Sequence, residues 1–144
     1  MTRRYGLDGA VEFVNAAGQV SGRWAGQRLP DEDIYRLALR MWGPGWRPVI
    51  MTAIALAESG GWTKAEGDLL LQDSRWGPSE GLWQIRVPAG ARGSMFDVDK
   101  NVRAAHVLWE RRGFRPWGAF TNGAYLRYLP RARSAATAVR VARG

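Results

Sequence analysis

The sequence places one carboxylate, Glu58, where it could act as a general acid. Glu58 follows an apolar run, Val49–Ala57, that is interrupted only by Thr52. The residues that would share its helical face are all apolar: Met51, Ile54 and Ala55. Hydrocarbon on one side and the negative end of a helix on the other both disfavour an ionised carboxylate, so the pattern predicts a raised pKa and a proton to donate. The alternative is an ordinary glutamate at a helix end, turned to water.

Three later carboxylates are candidates for a second catalytic group: Asp68, Asp73 and Glu80. They lie between Thr63 and Val87, a stretch without a sustained helical period, which predicts an irregular, β-like insertion. Short strands are expected at Leu69–Leu71 and Leu82–Ile85. A carboxylate at position 80 could also raise the pKa of Glu58. For each of the three, the alternative is a side chain that faces solvent.

Capping residues, glycine stops and apolar stripes predict the helices that position these groups. They are expected from Asp31 to the stop at Gly43, from Pro48 to Gly60 or Gly61, from Asp97 or Asp99 to Arg111, and from Asn122 or Gly123 into the C-terminal segment. The second is apolar around most of its circumference, so we expect it to be buried on several sides. The predicted fold is mainly α (an α+β architecture), with Glu58 at the base of a cleft between the helices and the insertion.

Residues 1–29 are interpreted as an appendage to a domain at 30–133, which a basic tail at 134–144 follows. Leu7, Ala10, Val11 and Val14 recur at helical spacing and predict a short helix. The Gly- and Arg-rich stretch 18–29 predicts a loop. The segment is either a helix packed on the domain or a junction to a larger protein or neighbouring subunit, and we favour the junction.

Composition narrows the classes of function. The chain has 144 residues, a net charge of +8 and no acidic residue after Glu110, a balance that suits nucleic acid or an anionic envelope polymer. No apolar run approaches the roughly 20 residues of a bilayer span, so membrane insertion is not expected. The first 20 residues lack an apolar signal region, so synthesis in the cytoplasm without a signal peptide is expected. The single His106 and the absence of cysteine leave no zinc constellation, and a core role is expected for this histidine.

Several short motifs resemble, in their identity and in their order along the chain, those of the lysozyme-like, soluble lytic transglycosylase superfamily. Two carry most of the resemblance: the run Ala57–Gly61, which contains Glu58 and Ser59, and the run Gly81–Ile85, which reads G-L-W-Q-I. The remaining ones are Gly67-Asp68, Trp76–Ser79, Asn101, Pro116-Trp117 and Asn122–Tyr125. Together they are similar to lysozyme-like domains of actinobacterial phages, in endolysins and in tail proteins such as tape-measure proteins. The resemblance covers roughly residues 31–133.

The resemblance implies cleavage of the MurNAc-GlcNAc β-1,4 bond of peptidoglycan, without a cofactor and with Glu58 as the acid. In a transglycosylase the C6 hydroxyl of the substrate attacks and leaves a 1,6-anhydro end, whereas a hydrolase needs a base for water, for which Asp68 is the best candidate. Ser59 is implied either to orient Glu58 or to bind sugar. Contact with substrate is implied for Trp83, Gln84, Trp117 and Tyr125. Leu126 replaces the asparagine that follows this tyrosine in the superfamily.

Three functions follow from these observations. The first is a peptidoglycan-cleaving enzyme that acts at the bacterial cell wall, free or as a virion component, with residues 1–29 contacting other phage tail proteins. The second is a structural phage tail module that has the fold but little or no activity. The third is a nucleic-acid binder, which we do not expect because the chain has no recognisable motif of that class.

Overall fold

The computed structural model describes residues 1–6 and 8–143. Within them, six strands form one antiparallel sheet whose spatial order equals the chain order, and five α-helices pack beside it. The strands are β1 (Thr2–Tyr5), β2 (Val11–Val14), β3 (Val20–Trp24), β4 (Glu66–Gly67), β5 (Trp76–Glu80) and β6 (Ile85–Pro88). The α-helices are α1 (Asp31–Trp42), α2 (Trp46–Ser59), α3 (Val98–Arg112), α4 (Gly118–Thr121) and α5 (Leu129–Arg143). The fold is therefore α+β.

The predicted helix near the N-terminus is wrong, because residues 11–14 form β2. Leu7 lies outside the described residues, whereas Val11 and Phe13 point to one side of a strand that suits β-branched and aromatic side chains. A turn stabilised by Asn15, whose Oδ1 accepts from the N–H groups of Ala17 and Gln19, reverses the chain into β3. The predicted loop at 18–29 is thus partly a strand.

Residues 1–29 continue the sheet. Arg23 of β3 pairs with Glu66 of β4, so β1–β3 and β4–β6 share one sheet. A further bridge joins Arg28 to Trp62, and the N–H of Leu29 donates to Gly61 O at 2.9 Å. The segment is therefore packed on the rest of the molecule, and the junction role stays a prediction.

The helix α2 lies at the centre of the molecule, as its apolar sequence predicts. Its residues 51–56 are fully buried, and α1, α5 and α4 all contact it. Gly60 adopts the left-handed conformation (φ 61°) and ends the helix, as expected from glycine in that place. Asp97 caps α3 by accepting from the N–H of Lys100, and α1 begins at the predicted Asp31. His106 lies half-buried against Trp42, which agrees with the expected core role.

Three further predictions need correction. Leu69–Leu71 forms a turn of 3₁₀ helix, and Leu82–Gln84 belong to the turn before β6. The last helix, α5, begins at Leu129 and not at Asn122 or Gly123, because Ala124–Tyr128 form a 3₁₀ helix. The basic segment from residue 134 to 143 belongs to α5, and its Ala135 and Val139 are buried against Tyr35 of α1. Spacing of small apolar residues at i, i+3 and i+7 gives α5 a face that packs, despite its arginines.

No helix of the described part of the chain is long and apolar enough to cross a membrane.

Candidate active site

A cleft of about 790 Å³ separates the helices from the sheet, and Glu58 lies in its wall. Glu58 occupies the last turn of α2, and its Oε1 accepts from the N–H of Ala119 at 3.2 Å. Burial of this carboxyl raises its pKa above the ordinary value of 4.5, and the negative charge of Asp68 raises it further. The hydrogen bond from Ala119 acts in the opposite direction but does not cancel the effect of burial. Glu58 is thus set up to keep a proton and donate it into the cleft.

Asp68 faces the same cleft from the sheet side. It follows β4 in the left-handed conformation (φ 56°), and its Oδ2 accepts from the Ser79 hydroxyl at 2.6 Å. The guanidinium of Arg86 approaches the same oxygen to 4.0 Å. Arg86 also donates to the carbonyls of Gly77 and Leu71, so it ties the turn after Asp68 to the sheet. The structure therefore brings Glu58 and Asp68 to one cavity and holds Asp68 in a defined orientation.

The other two candidate carboxylates do not lie in this cleft. Asp73 is exposed and accepts from the N–H groups of Arg75 and Trp76, which lowers its pKa and closes a turn. Glu80 is fully buried and accepts from the N–H groups of Gly93 and Met95. Asp73 is excluded as a partner of Glu58 because it lies in an exposed turn outside the cleft, and Glu80 is excluded because it is buried outside the cleft. The expected influence of Glu80 on the pKa of Glu58 is not found among the causes of its shift.

The structure corrects the predicted contact of Ser59 and Trp83 with substrate, because both side chains are fully buried, and the alternative role of Ser59 in orienting Glu58 stays a prediction. The Ser59 hydroxyl is buried, donates to Ala55 O at 2.8 Å and accepts from the N–H of Gly61, so it closes the end of α2. Trp83 is fully buried, and its indole N–H donates to Met51 O at 2.9 Å. Both side chains lie in the interior because their polar atoms satisfy the backbone of α2. They support the helix that carries Glu58 and are not accessible to a sugar.

Gln84 and Trp117 do line the cleft. Gln84 has a left-handed backbone (φ 49°), and its amide nitrogen donates to the carbonyls of Ala65 and Gly81. The side-chain oxygen Oε1 of Gln84 lies beside Gly67, and a larger residue at position 67 would collide with it. Trp117 is only 2% exposed and donates its indole N–H to Trp83 O, so little of its ring is accessible to substrate.

Tyr125 is not among the residues that line this cavity. Its ring stacks on Phe120 with centroids 4.9 Å apart, in an aromatic row that continues to Phe114. The side chain is half-buried in this row because stacking offers the ring more contact than the open cleft does. The predicted contact between Tyr125 and substrate is therefore not supported by its position.

Sequence reasoning missed the contribution of residues 1–29 to the cleft. Phe13, Gly22 and Trp24 all line it. The indole of Trp24 lies against Gly60, the residue that ends the acid-bearing helix, so closely that a methyl group on Gly60 would overlap it. Two features of the sequence could have revealed these strands. Apolar and charged residues alternate in V-E-F-V, and an aromatic residue, Trp24, ends β3.

Asn101 joins the helices to the sheet beneath the site. Its Oδ1 accepts from the N–H of Trp83, and its Nδ2 donates to the carbonyls of Glu80 and Met95 at 2.8 Å each. This buried residue of α3 thus fixes the turn that carries Gln84. Within the described residues, no group of three or more His, Cys, Asp or Glu side chains is arranged to hold a metal ion.

Comparison with protein families gave one match. A family model described as "Lysozyme like domain" matches residues 40–119, which is more than half of the chain. The matched segment contains α2, the turn with Asp68 and the turn with Gln84, but none of β1–β3. Comparisons with curated proteins and with solved structures gave no match.

Proposed function

The chain belongs to the lysozyme-like domain family, and from this membership and the position of Glu58 we propose that it cleaves the β-1,4 bond between MurNAc and GlcNAc in peptidoglycan. Membership of a lysozyme-like family supports a peptidoglycan-acting glycosidase in general. Glycan strands are the proposed substrate, and the bacterial cell wall is the proposed place of action. The observation that carries the proposal is the partly buried Glu58 carboxyl in the cleft, whose pKa is raised by burial and by the negative charge of Asp68.

In the proposed reaction, Glu58 protonates the oxygen that bridges the two sugars. The bond from this oxygen to the anomeric carbon of MurNAc breaks, and the sugar develops oxocarbenium character. The C6 hydroxyl of the same MurNAc then attacks the anomeric carbon and gives up its proton to the Glu58 carboxylate. The product is a 1,6-anhydro-MurNAc end, and Glu58 has returned to its acid form, so no water is consumed.

One observation favours hydrolysis as the second candidate. Asp68 lies in the same cleft and is oriented by Ser79, which makes it available as a base for water. In that reaction water attacks the anomeric carbon, Asp68 accepts its proton, and a reducing end forms. We favour the transglycosylase, because the sequence motifs resemble those of lytic transglycosylases and Glu58 alone can both donate and recover the proton.

Digestion of purified glycan strands in water enriched in heavy oxygen tests the choice. Transglycosylation leaves unlabelled 1,6-anhydro ends, and mass spectrometry of the fragments identifies them. Label on new reducing ends would instead establish hydrolysis, and its loss in Asp68→Asn would identify Asp68 as the base. If the protein releases no fragments from the strands, its role is that of a structural module with this fold.

We also propose a phage setting, as an endolysin or a tail protein. The support is the resemblance of the ordered motifs to lysozyme-like domains of actinobacterial phages. In a tail protein, the exposed side of the N-terminal strands would contact neighbouring tail proteins. Extraction of purified virions with detergent and salt, followed by mass spectrometry, would reveal whether the chain belongs to the particle.

A further inference from the structure

The N-terminal strands present two chemically different faces, because side chains alternate across a strand. Cross-strand pairs place one charged row, Arg4, Glu12 and Arg23, on the face away from the cleft, and this row ends at Glu66 on the edge of the cleft. On the other face, Arg3 pairs with Phe13, and Phe13 pairs with Gly22. That second row leads towards Gly67, whose Cα lies beside Gly22, and so towards the catalytic part of the cleft.

Two aromatic rings dominate this second face. Phe13 and Trp24 meet edge to face with centroids 4.8 Å apart, and both are half-buried residues that line the cleft. The guanidinium carbon of Arg3 lies 5.5 Å from the Phe13 ring centroid and 5.4 Å from that of Trp24. The two rings thus hold a cation at the rim while Arg3 itself remains exposed.

Gly22 keeps the wall open beside these rings. A Cβ on Gly22 would approach Glu66 O to 3.0 Å, so a larger residue would strain the junction between β3 and β4. Without a side chain there, Gly22 lines the same cavity as Phe13, Asp68 and Glu58. The surface is therefore continuous from the aromatic pair to the proposed acid.

We propose that Phe13, Trp24 and Arg3 form an additional sugar-binding subsite, which extends the cleft beyond the segment that matches the family. This inference rests on the proposed function, since its ligand is the same glycan strand. The rings offer apolar surface to the C–H face of an N-acetylated amino sugar. Arg3 offers a cation to the lactyl carboxylate of a MurNAc residue that carries no stem peptide. The subsite binds a sugar at a distance from the bond that is cleaved, so its effect is confined to strands long enough to reach it.

The test uses Glu58→Gln protein, which binds without cleaving, and two probes. The first is glycan strands freed of stem peptides, which carry lactyl carboxylates, and the second is chito-oligosaccharide of similar length, which lacks them. Phe13→Leu should weaken binding of both probes by about three- to tenfold, because it removes the ring but keeps an apolar side chain. Arg3→Ala should weaken binding of the first probe only, by about two- to fivefold, and less at high salt.

Arg4→Ala is the matched control, since Arg4 neighbours Arg3 on β1 but belongs to the opposite face, where it pairs with Glu12. It should bind both probes as the unchanged protein does. If Phe13→Leu and Arg3→Ala bind long strands as Arg4→Ala does, the subsite is refuted while the proposed function stands. If binding depends on Phe13 and Arg3 but protein with an intact Glu58 cleaves no strand, the subsite stands and the enzymatic proposal fails. Absence of any glycan binding overturns both.

Discussion

Glu58 is the residue on which the proposed chemistry depends, and Glu58→Gln removes its proton while keeping its shape. A Gln at this position can still accept from the N–H of Ala119, so the fold should be unaffected. We expect cleavage of glycan strands to fall by at least 10²–10⁴-fold, roughly the contribution of general acid catalysis. The rate at which soluble fragments are released from the strands measures this loss of activity. Glu110→Gln, on the exposed side of α3, is the control and should retain full activity; equal activity of the two variants would exclude Glu58 as the acid.

The raised pKa of Glu58 also makes a prediction about stability. In the folded state this carboxyl holds its proton to higher pH than in the unfolded state, where the ordinary value of 4.5 applies. Folding therefore loses stability as pH rises from about that value through the raised pKa, because ionisation is easier in the unfolded chain. Glu58→Gln should accordingly be more stable than the unchanged protein at neutral pH and equal to it below pH 4, as urea unfolding at several pH values would reveal. A difference that is independent of pH would contradict burial of the ionisable group.

Asp68 should influence catalysis through charge even if it is not a base. Its negative charge contributes to the raised pKa of Glu58, so Asp68→Asn should lower that pKa. Activity requires a protonated Glu58, and the alkaline limb of the pH–activity profile should therefore move to lower pH. A profile of kcat/KM against pH measures the shift. Loss of activity at every pH, with the limb unmoved, would indicate that Asp68 acts directly in the reaction.

At the scale of elements, the end of α2 and the N-terminal strands form one unit through Gly60 and Trp24. Gly60→Ala introduces a side chain at a left-handed position and a clash with the Trp24 ring. Gly90 is the matched control, because it also has a positive φ (85°) but open space around it. We expect Gly90→Ala to cost about 1–2 kcal/mol from backbone strain alone, and Gly60→Ala to cost more and to lower activity. Thermal unfolding measures the stability of the two variants, and cleavage assays measure their activity. An equal loss of unfolding free energy in Gly60→Ala and Gly90→Ala would mean that the contact with Trp24 is unimportant.

At the scale of the whole molecule, the sequence was informative where a signal is local. Gly60 and Asp97 mark helix ends because the capping preferences of these residue types act within one turn. The strands β1–β3 were missed because their spacing also fits a helix and their partner, Glu66, lies far along the chain. Likewise the motif containing Trp83 indicated the turn but not the direction of its side chain, which depends on a hydrogen bond to α2.

Net charge acts on the molecule as a whole, and α5 supplies much of it. Removing residues 134–143 would expose the surface that Ala135 and Val139 cover, so charge must be tested by substitution and not by truncation. Arg133, Arg140 and Arg143 are exposed, and changing all three to Gln lowers the net charge from +8 to +5 (8 − 3). The surface of α5 that packs on α1 is left intact.

The triple variant should adsorb more weakly to intact anionic cell walls at low salt, because exposed charges attract a polyanion over about a Debye length, ~10 Å at 0.1 M salt. The difference should shrink as salt rises, while soluble strands are cut at the original rate, since α5 takes no part in the cleft. Sedimentation of walls with bound protein at several salt concentrations measures adsorption. A second triple variant, in which the exposed Arg28, Arg75 and Arg103 become Gln, has the same net charge. If both variants lose adsorption equally, the total charge of the protein attracts it to the wall. If only the α5 variant loses adsorption, the helix itself is the contact surface. If neither variant does, the positive charge has no part in adsorption.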